Sequence, residues 1–81
     1  MVRFAVRFTG SAARTRDDLP GPARRALDDL VERLASDPFL GGAPAEAAAE
    51  HSATFGRGGV LEYAVHTRLT TVSVIRIVYM G

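Results

Sequence analysis

The sequence contains no cysteine, which excludes disulfide staples and thiolate metal sites alike. Lysine, asparagine and glutamine are also absent, so all ten basic residues are arginine, a usage that suggests the codon bias of a GC-rich genome. No apolar run approaches the roughly 20 residues needed to span a bilayer. The opening segment, Met1 to Phe8, alternates arginine with apolar residues and lacks the continuous apolar stretch of a secretion signal. These absences lead to the expectation of a cytoplasmic protein with no membrane partner. At 81 residues the chain reads as one domain, 1–81, near the size at which a single core suffices without staples.

What is present is unevenly distributed. The formal charge is +1, yet residues 1–16 carry four Arg and no acid, residues 17–50 three Arg against eight acids, and residues 51–81 three Arg against Glu62 alone. If the first and last strands share a sheet, that sheet is basic and the helical side acidic. A basic sheet can meet phosphates, although a solvated surface is the plainer reading.

The periodicities predict a βααβββ order. Residues 2–9 alternate as a strand, with Val2, Phe4, Val6 and Phe8 on one face and Arg3, Ala5, Arg7 and Thr9 on the other. Ser11 is positioned to cap a short helix over residues 12–19. Pro20-Gly21-Pro22 then separates it from a second helix, on which Ala23, Leu27, Leu30, Val31 and Leu34 form one apolar stripe. Asp29 lies four residues before Arg33 in the orientation that favours an ion pair, and Asp37-Pro38 stops the helix. Residues 39–48 read as a loop and residues 50–55 as a strand. Gly56-Arg57-Gly58-Gly59 reads as a hairpin turn, because nothing helical follows it as a phosphate cradle requires. Strands follow at 60–67 and 71–79. The last is apolar on both faces, which predicts an inner position in the sheet. The fold class expected is α+β, a small antiparallel or mixed sheet with both helices on one face and the other face open.

The run Leu19-Pro20-Gly21-Pro22 through Asp37-Pro38, followed by the glycine-rich turn, Tyr63-Ala64-Val65 and Val74-Ile75-Arg76-Ile77, resembles the RelE/ParE superfamily of bacterial toxins over nearly the whole chain. The resemblance implies the toxin of a type II toxin–antitoxin system, neutralised by a cognate antitoxin encoded beside it. RelE-like and YoeB-like members cut messenger RNA on the ribosome, using a basic cleft on the open sheet face and an acid/base residue near the end of the last strand. ParE-like members inhibit DNA gyrase. No cofactor or metal is implied. The resemblance puts Val60 where the nucleases carry a catalytic Arg, with Arg57 in the preceding turn as a compensating cation. It puts Tyr79 where YoeB-like proteins have His and Met80 where they have Tyr. Glu46 resembles the loop carboxylate of YoeB-like enzymes, and Arg16 stands where an apolar residue commonly helps the first helix pack.

RNA cleavage by 2′-hydroxyl attack needs a base, an acid and a cation. Alternation along the third strand turns Leu61, Tyr63 and Val65 inward and leaves Glu62 and His66 on the open face. Glu62 and His66 are candidate proton carriers, or simply solvated polar residues. Arg76, a charge within an apolar run, must pair or reach the rim, and an ion pair with Glu62 is the expected resolution. The catalytic candidates are therefore His66, Glu62, Arg76 and Tyr79, with Arg57, His51 and Arg68 as substrate-binding candidates. Tyr79 has a second reading as a core aromatic, and a one-residue slip would turn His51 to the other face. Three functions remain open: an mRNA-cleaving toxin acting at the ribosome, which is preferred, a gyrase inhibitor, and a decayed toxin that only binds its antitoxin.

Overall fold

The structure is a computed structural model that describes residues 2–40 and 50–80. The elements run in the order β1 (Ala5–Phe8), α1 (Gly10–Asp18), α2 (Gly21–Ser36), β2 (Glu50–Phe55), β3 (Gly59–His66) and β4 (Thr71–Tyr79). The sheet order is β1-β4-β3-β2, with β4 parallel to β1 and antiparallel to β3. The last strand is thus an inner one, as its two-faced apolar sequence requires. The expected loop at 39–48 lies mostly outside the described residues, Glu46 among them.

The helices cover one face. Ala23, Leu27, Leu30 and Leu34 of α2 are buried with Ala12 of α1 against Leu61, Tyr63 and Val65 of β3 and Val72, Val74 and Ile77 of β4. Each buried leucine contributes about 1.5–3 kcal/mol relative to exposure, so the α2 stripe is the main attachment of helix to sheet.

Two boundaries differ from the sequence reading by more than one residue. The first strand begins at Ala5 rather than residue 2, because the Phe4 N–H donates to the Ala35 carbonyl at 2.8 Å and Arg3 pairs with Glu32 at 2.9 Å, drawing residues 3–4 to α2. The first helix begins at Gly10, and its cap is Thr9, not Ser11. The Thr9 hydroxyl accepts from the Ala12 N–H at 3.2 Å and donates to the Ile75 carbonyl at 3.0 Å. One side chain therefore ends β1, starts α1 and grips β4.

That grip falls on a β-bulge. Glu62 pairs with Arg76 while Tyr63 pairs with Val74, so Ile75 has no partner on β3. The extra residue resets the alternation of the strand. Before it, Val72 and Val74 are fully buried against the helices; after it, Ile77 takes the buried side and Arg76 emerges exposed on the open face. Without the bulge the parity of Val72 and Val74 would continue to Arg76, placing a guanidinium in the core. The Glu62–Arg76 ion pair expected from sequence does not form, although the two residues are cross-strand partners. The Asp29–Arg33 pair is not formed either; α2 instead pairs with other elements, through Arg3–Glu32 and Arg16–Asp28.

At the hairpin, Gly58 has φ +77° and Gly59 lies so close to Phe55 that a Cβ would stand 2.6 Å from its ring. A side chain at residue 59 cannot be accommodated there. The glycine-rich segment is a hairpin turn, as read from the sequence.

Deleting Ile75 is expected to destabilise the protein by more than about 3 kcal/mol, since it faces a choice between a buried unpaired arginine and a misregistered strand end. Ile75→Ala keeps the parity and is expected to cost about 1 kcal/mol. Denaturant melts with equal midpoints for the deletion and the substitution would show that the bulge does not set the facing of Arg76.

Candidate functional site: the open sheet face

The uncovered face is built by alternate residues of four strands. Register puts Arg7 beside Ser73, Ser73 across from Ala64, Thr71 across from His66, and Arg76 across from Glu62, with Glu50, Ser52 and Thr54 continuing on β2. Of the seven sequence candidates, Glu62, His66 and Arg76 lie on this face.

The other four lie elsewhere. Tyr79 points to the helix side and stacks on Phe55 with ring centroids 6.4 Å apart. There it lines a recess of about 330 Å³ with Arg57, Pro22, Ala23 and Gly56. Arg57 and Tyr79 are thus neighbours, at the opposite side of the sheet from Glu62 and Arg76. Arg68 sits in the turn between β3 and β4. His51 faces the helix side, stacked on Tyr63 at 5.4 Å and edge-on to Phe39 at 5.8 Å. Its register partner is the buried Tyr63, which fixes that facing.

Glu62 and His66 are four residues apart along one strand, about 13 Å between Cα atoms at ~3.3 Å per residue. They cannot share a proton directly, and a substrate atom served by both has to lie between them, above Ala64 and Ser73. His66 has a partner of its own: Nε2 lies 3.2 Å from the Ser73 hydroxyl. A recess of about 430 Å³ opens beside it, lined by Arg7, Leu69, Thr71 and Ser73. Arg7, Thr71 and Ser73 were not among the residues singled out from sequence. The alternation of residues 2–9 placed Arg7 on the polar face, but only the parallel pairing of β1 with β4 brings it to Ser73. That register is anchored where the Ala5 N–H donates to the carbonyl of Thr70, itself held at φ +49°.

The face is not uniformly basic, contrary to the expectation from charge distribution. Arg7 and Arg76 are offset by Glu50 and Glu62, while Arg3 and Arg16 are drawn to acids of α2. Arg16 also lies 5.5 Å over the Phe8 ring, so it packs α1 as a cation over an aromatic rather than as an apolar residue. At the Val60 end the face is neutral. Val60, 37% exposed, is paired with Val78 and Thr54. Among the described residues no three His, Asp or Glu side chains converge as a metal site requires, and no helix is long and apolar enough to cross a membrane.

No family model matches the sequence, and no curated protein does. Solved structures do. A chain of the RelBE2 toxin–antitoxin complex of Mycobacterium tuberculosis is 31% identical, with 99% of this chain and 94% of that one covered and a TM-score of 0.77. This chain belongs to the RelE toxin superfamily of type II toxin–antitoxin systems. The intact RelBE complex of Escherichia coli shares the fold at 16% identity and TM-score 0.79, covering 96% of this chain and 98% of that one. The RelE–RelB complex of the archaeon Pyrococcus horikoshii does so at 12% identity and TM-score 0.70, covering 99% and 98%. The RelE fold accounts for the bare sheet face: its two helices form one layer only.

Within this RelE-superfamily toxin, the Tyr63 phenol beneath His51 has its pKa raised above 10.0, first by burial and then by the charge of Asp37. A raised value in the folded state means a stabilising contribution that is complete below pH 10 and is lost as pH climbs through the folded value. Melting temperature is therefore expected to fall in the alkaline range above about pH 10, and Tyr63→Phe should flatten that fall. Superimposable alkaline profiles for wild type and Tyr63→Phe would rule out Tyr63 as the group responsible.

Proposed function

We propose that this toxin is held inactive by a cognate antitoxin and, when released, stops translation by cleaving messenger RNA at the ribosome on its open sheet face. The observation that carries the reading is the exposed His66, hydrogen-bonded to Ser73 on the face the helices leave bare, with Arg7 of β1 at the level of Ser73 and Arg76 of β4 further along the same face. A phosphodiester lying over Ala64 and Ser73 meets His66 at one end and Arg76 at the other. His66 takes the proton of the 2′-hydroxyl; the O2′–P bond forms as the P–O5′ bond breaks, and solvent water protonates the departing O5′. Arg76 offsets the charge of the crowded phosphorane, the contribution that usually dominates such steps. Glu62, opposite Arg76, is the second group able to accept the proton. The products are a 2′,3′-cyclic phosphate and a 5′-hydroxyl.

A second reading rests on the Val60 end. A valine pair flanked by Ser52 and Thr54 offers no cation where the superfamily resemblance puts a catalytic Arg, and an uncharged patch suits a protein surface such as gyrase better than RNA. Induction in bacteria separates the two: protein synthesis is expected to stop before DNA replication, with ribosome-bound messenger cut. His66→Ala and Arg76→Ala should each keep the wild-type melting curve and lose about 10²-fold or more in cleavage, the scale of losing one proton carrier or one electrostatic partner. Growth arrest with intact messenger would discard the nuclease reading in favour of the gyrase one. Failure of the wild type to associate with the product of the neighbouring gene at micromolar concentration would discard the antitoxin.

A further inference from the structure

Arg7 is the arginine that the fold leaves free on the open face next to His66. Arg3 is held by Glu32 at 2.9 Å and Arg16 by Asp28 at 3.2 Å, and Arg24 lies 3.9 Å from Asp17, whereas Arg7 makes no ion pair among the described residues. It is placed by register at the level of Ser73, on the rim of the recess that His66, Thr71 and Leu69 complete. No carboxylate lines that recess. A second recess of about 400 Å³ shares His66 and Leu69 with the first and continues to Thr67 and Arg68.

Resting on the RNA reading above, we infer that this end of the face grips a backbone phosphate of single-stranded RNA, with Arg7 as its cation. Arg7 supplies charge-assisted N–H donors, the strongest kind for a phosphate oxygen. The Thr71 hydroxyl is already committed, donating to the Leu69 carbonyl at 2.9 Å, so it forms the floor rather than a donor. Ser73 is the adjustable partner. Where Nε2 is the acceptor, the serine hydroxyl donates to it; where Nε2 carries the hydrogen, it donates to Ser73 Oγ and the serine O–H is free to point toward the anion. Leu69 is 74% exposed at the rim and offers an apolar ledge for a base. Arg68 in the turn, Arg7 on β1 and Arg76 on β4 then follow one another from that end of the sheet, a cationic track of the kind that follows a single strand by its phosphates. Arg7 is a binding residue in this scheme and moves no proton.

The probe is a labelled single-stranded oligonucleotide with 2′-O-methyl sugars, which lacks the attacking hydroxyl and cannot be cut, followed by fluorescence anisotropy across a salt series. Arg7→Ala is expected to keep the wild-type circular dichroism and melting curve, to weaken binding about 10-fold and to lower the salt slope by about one, as loss of one phosphate contact does. Arg7→Lys should recover part of the affinity, and Arg14→Ala, on the exposed side of α1, should change nothing. Inorganic phosphate should displace the oligonucleotide only at far higher concentration. The inference is overturned if Arg7→Ala binds with unchanged affinity and slope, if Arg14→Ala weakens binding equally, if phosphate competes on equal terms, or if the wild type does not bind the probe. Arg7-dependent binding by a wild type that leaves messenger intact would keep the subsite and remove the cleavage step. Cleavage by Arg7→Ala at the wild-type rate, with wild-type binding, would remove the subsite and keep the cleavage step.

Discussion

An inner strand has to satisfy two faces, and β4 must do so with an arginine in its second half. Alternation alone cannot manage it: Val72 and Val74 commit the helix side, and two residues on, the same side would receive Arg76. Burying an unpaired guanidinium costs far more than any side chain of this core returns. The unpaired Ile75 resolves the conflict by shifting the parity once, and everything around it is arranged to hold that shift. Thr9 is tied to the bulge through both its N–H, on the Val74 carbonyl, and its hydroxyl, on the Ile75 carbonyl. The same hydroxyl caps α1. Helix start, strand end and the facing of Arg76 thus depend on one threonine and one extra residue.

The arginines follow a comparable division. Of the four in the amino-terminal segment, Arg3 and Arg16 are taken by α2 through Glu32 and Asp28, Arg7 goes to the open face, and Arg14 is exposed on α1. The exposed pairs contribute little stability each, but Arg16 also covers the Phe8 ring and sits partly buried between the helices. Charge segregation along the sequence therefore becomes helix-to-strand pairing in space, not a basic sheet. What stays on the face is sparse and local, which is why position matters more there than net charge.

The parts of the fold legible in the sequence are those set by local periodicity. The α2 stripe, β2 at 50–55, the inward Leu61, Tyr63 and Val65 and the inner place of 71–79 all follow from spacing and apolarity. The features that escaped depend on partners far away in the chain. The short β1 reflects a hydrogen bond from Phe4 to Ala35; the Thr9 cap reflects an acceptor on β4; the bulge has no mark in Val74-Ile75-Arg76-Ile77 except the arginine itself, which demands an exit without saying how. The candidate site was legible by face on β3 only. His51 and Tyr79 were assigned without knowing strand parity, and both turn to the helices, one paired with Tyr63 and the other beyond the bulge and stacked on Phe55. Arg7 was visible as a polar-face residue, but its neighbours come from a parallel pairing across more than sixty positions of sequence.

The open face also has a gradient along its strands, from the neutral Val60–Val78 pair through Glu62 and Arg76 to His66, Ser73 and Arg7. A side chain moved by two positions on a strand keeps its face and travels about 7 Å, without disturbing the alternate residues that form the core. Charged groups on such a face are free to sit at either end while Leu61, Val72 and Val74 remain packed as they are. The RelE fold constrains which residues point outward and leaves open which of them carry charge. In this chain Arg7 and His66 lie toward the end formed by β1 and the β3–β4 turn, whereas Arg76 lies opposite Glu62, between them and the neutral valine pair. The chemistry on RNA proposed for this face therefore spans the stretch from Arg76 to His66, and the Val60–Val78 pair contributes no charge to it.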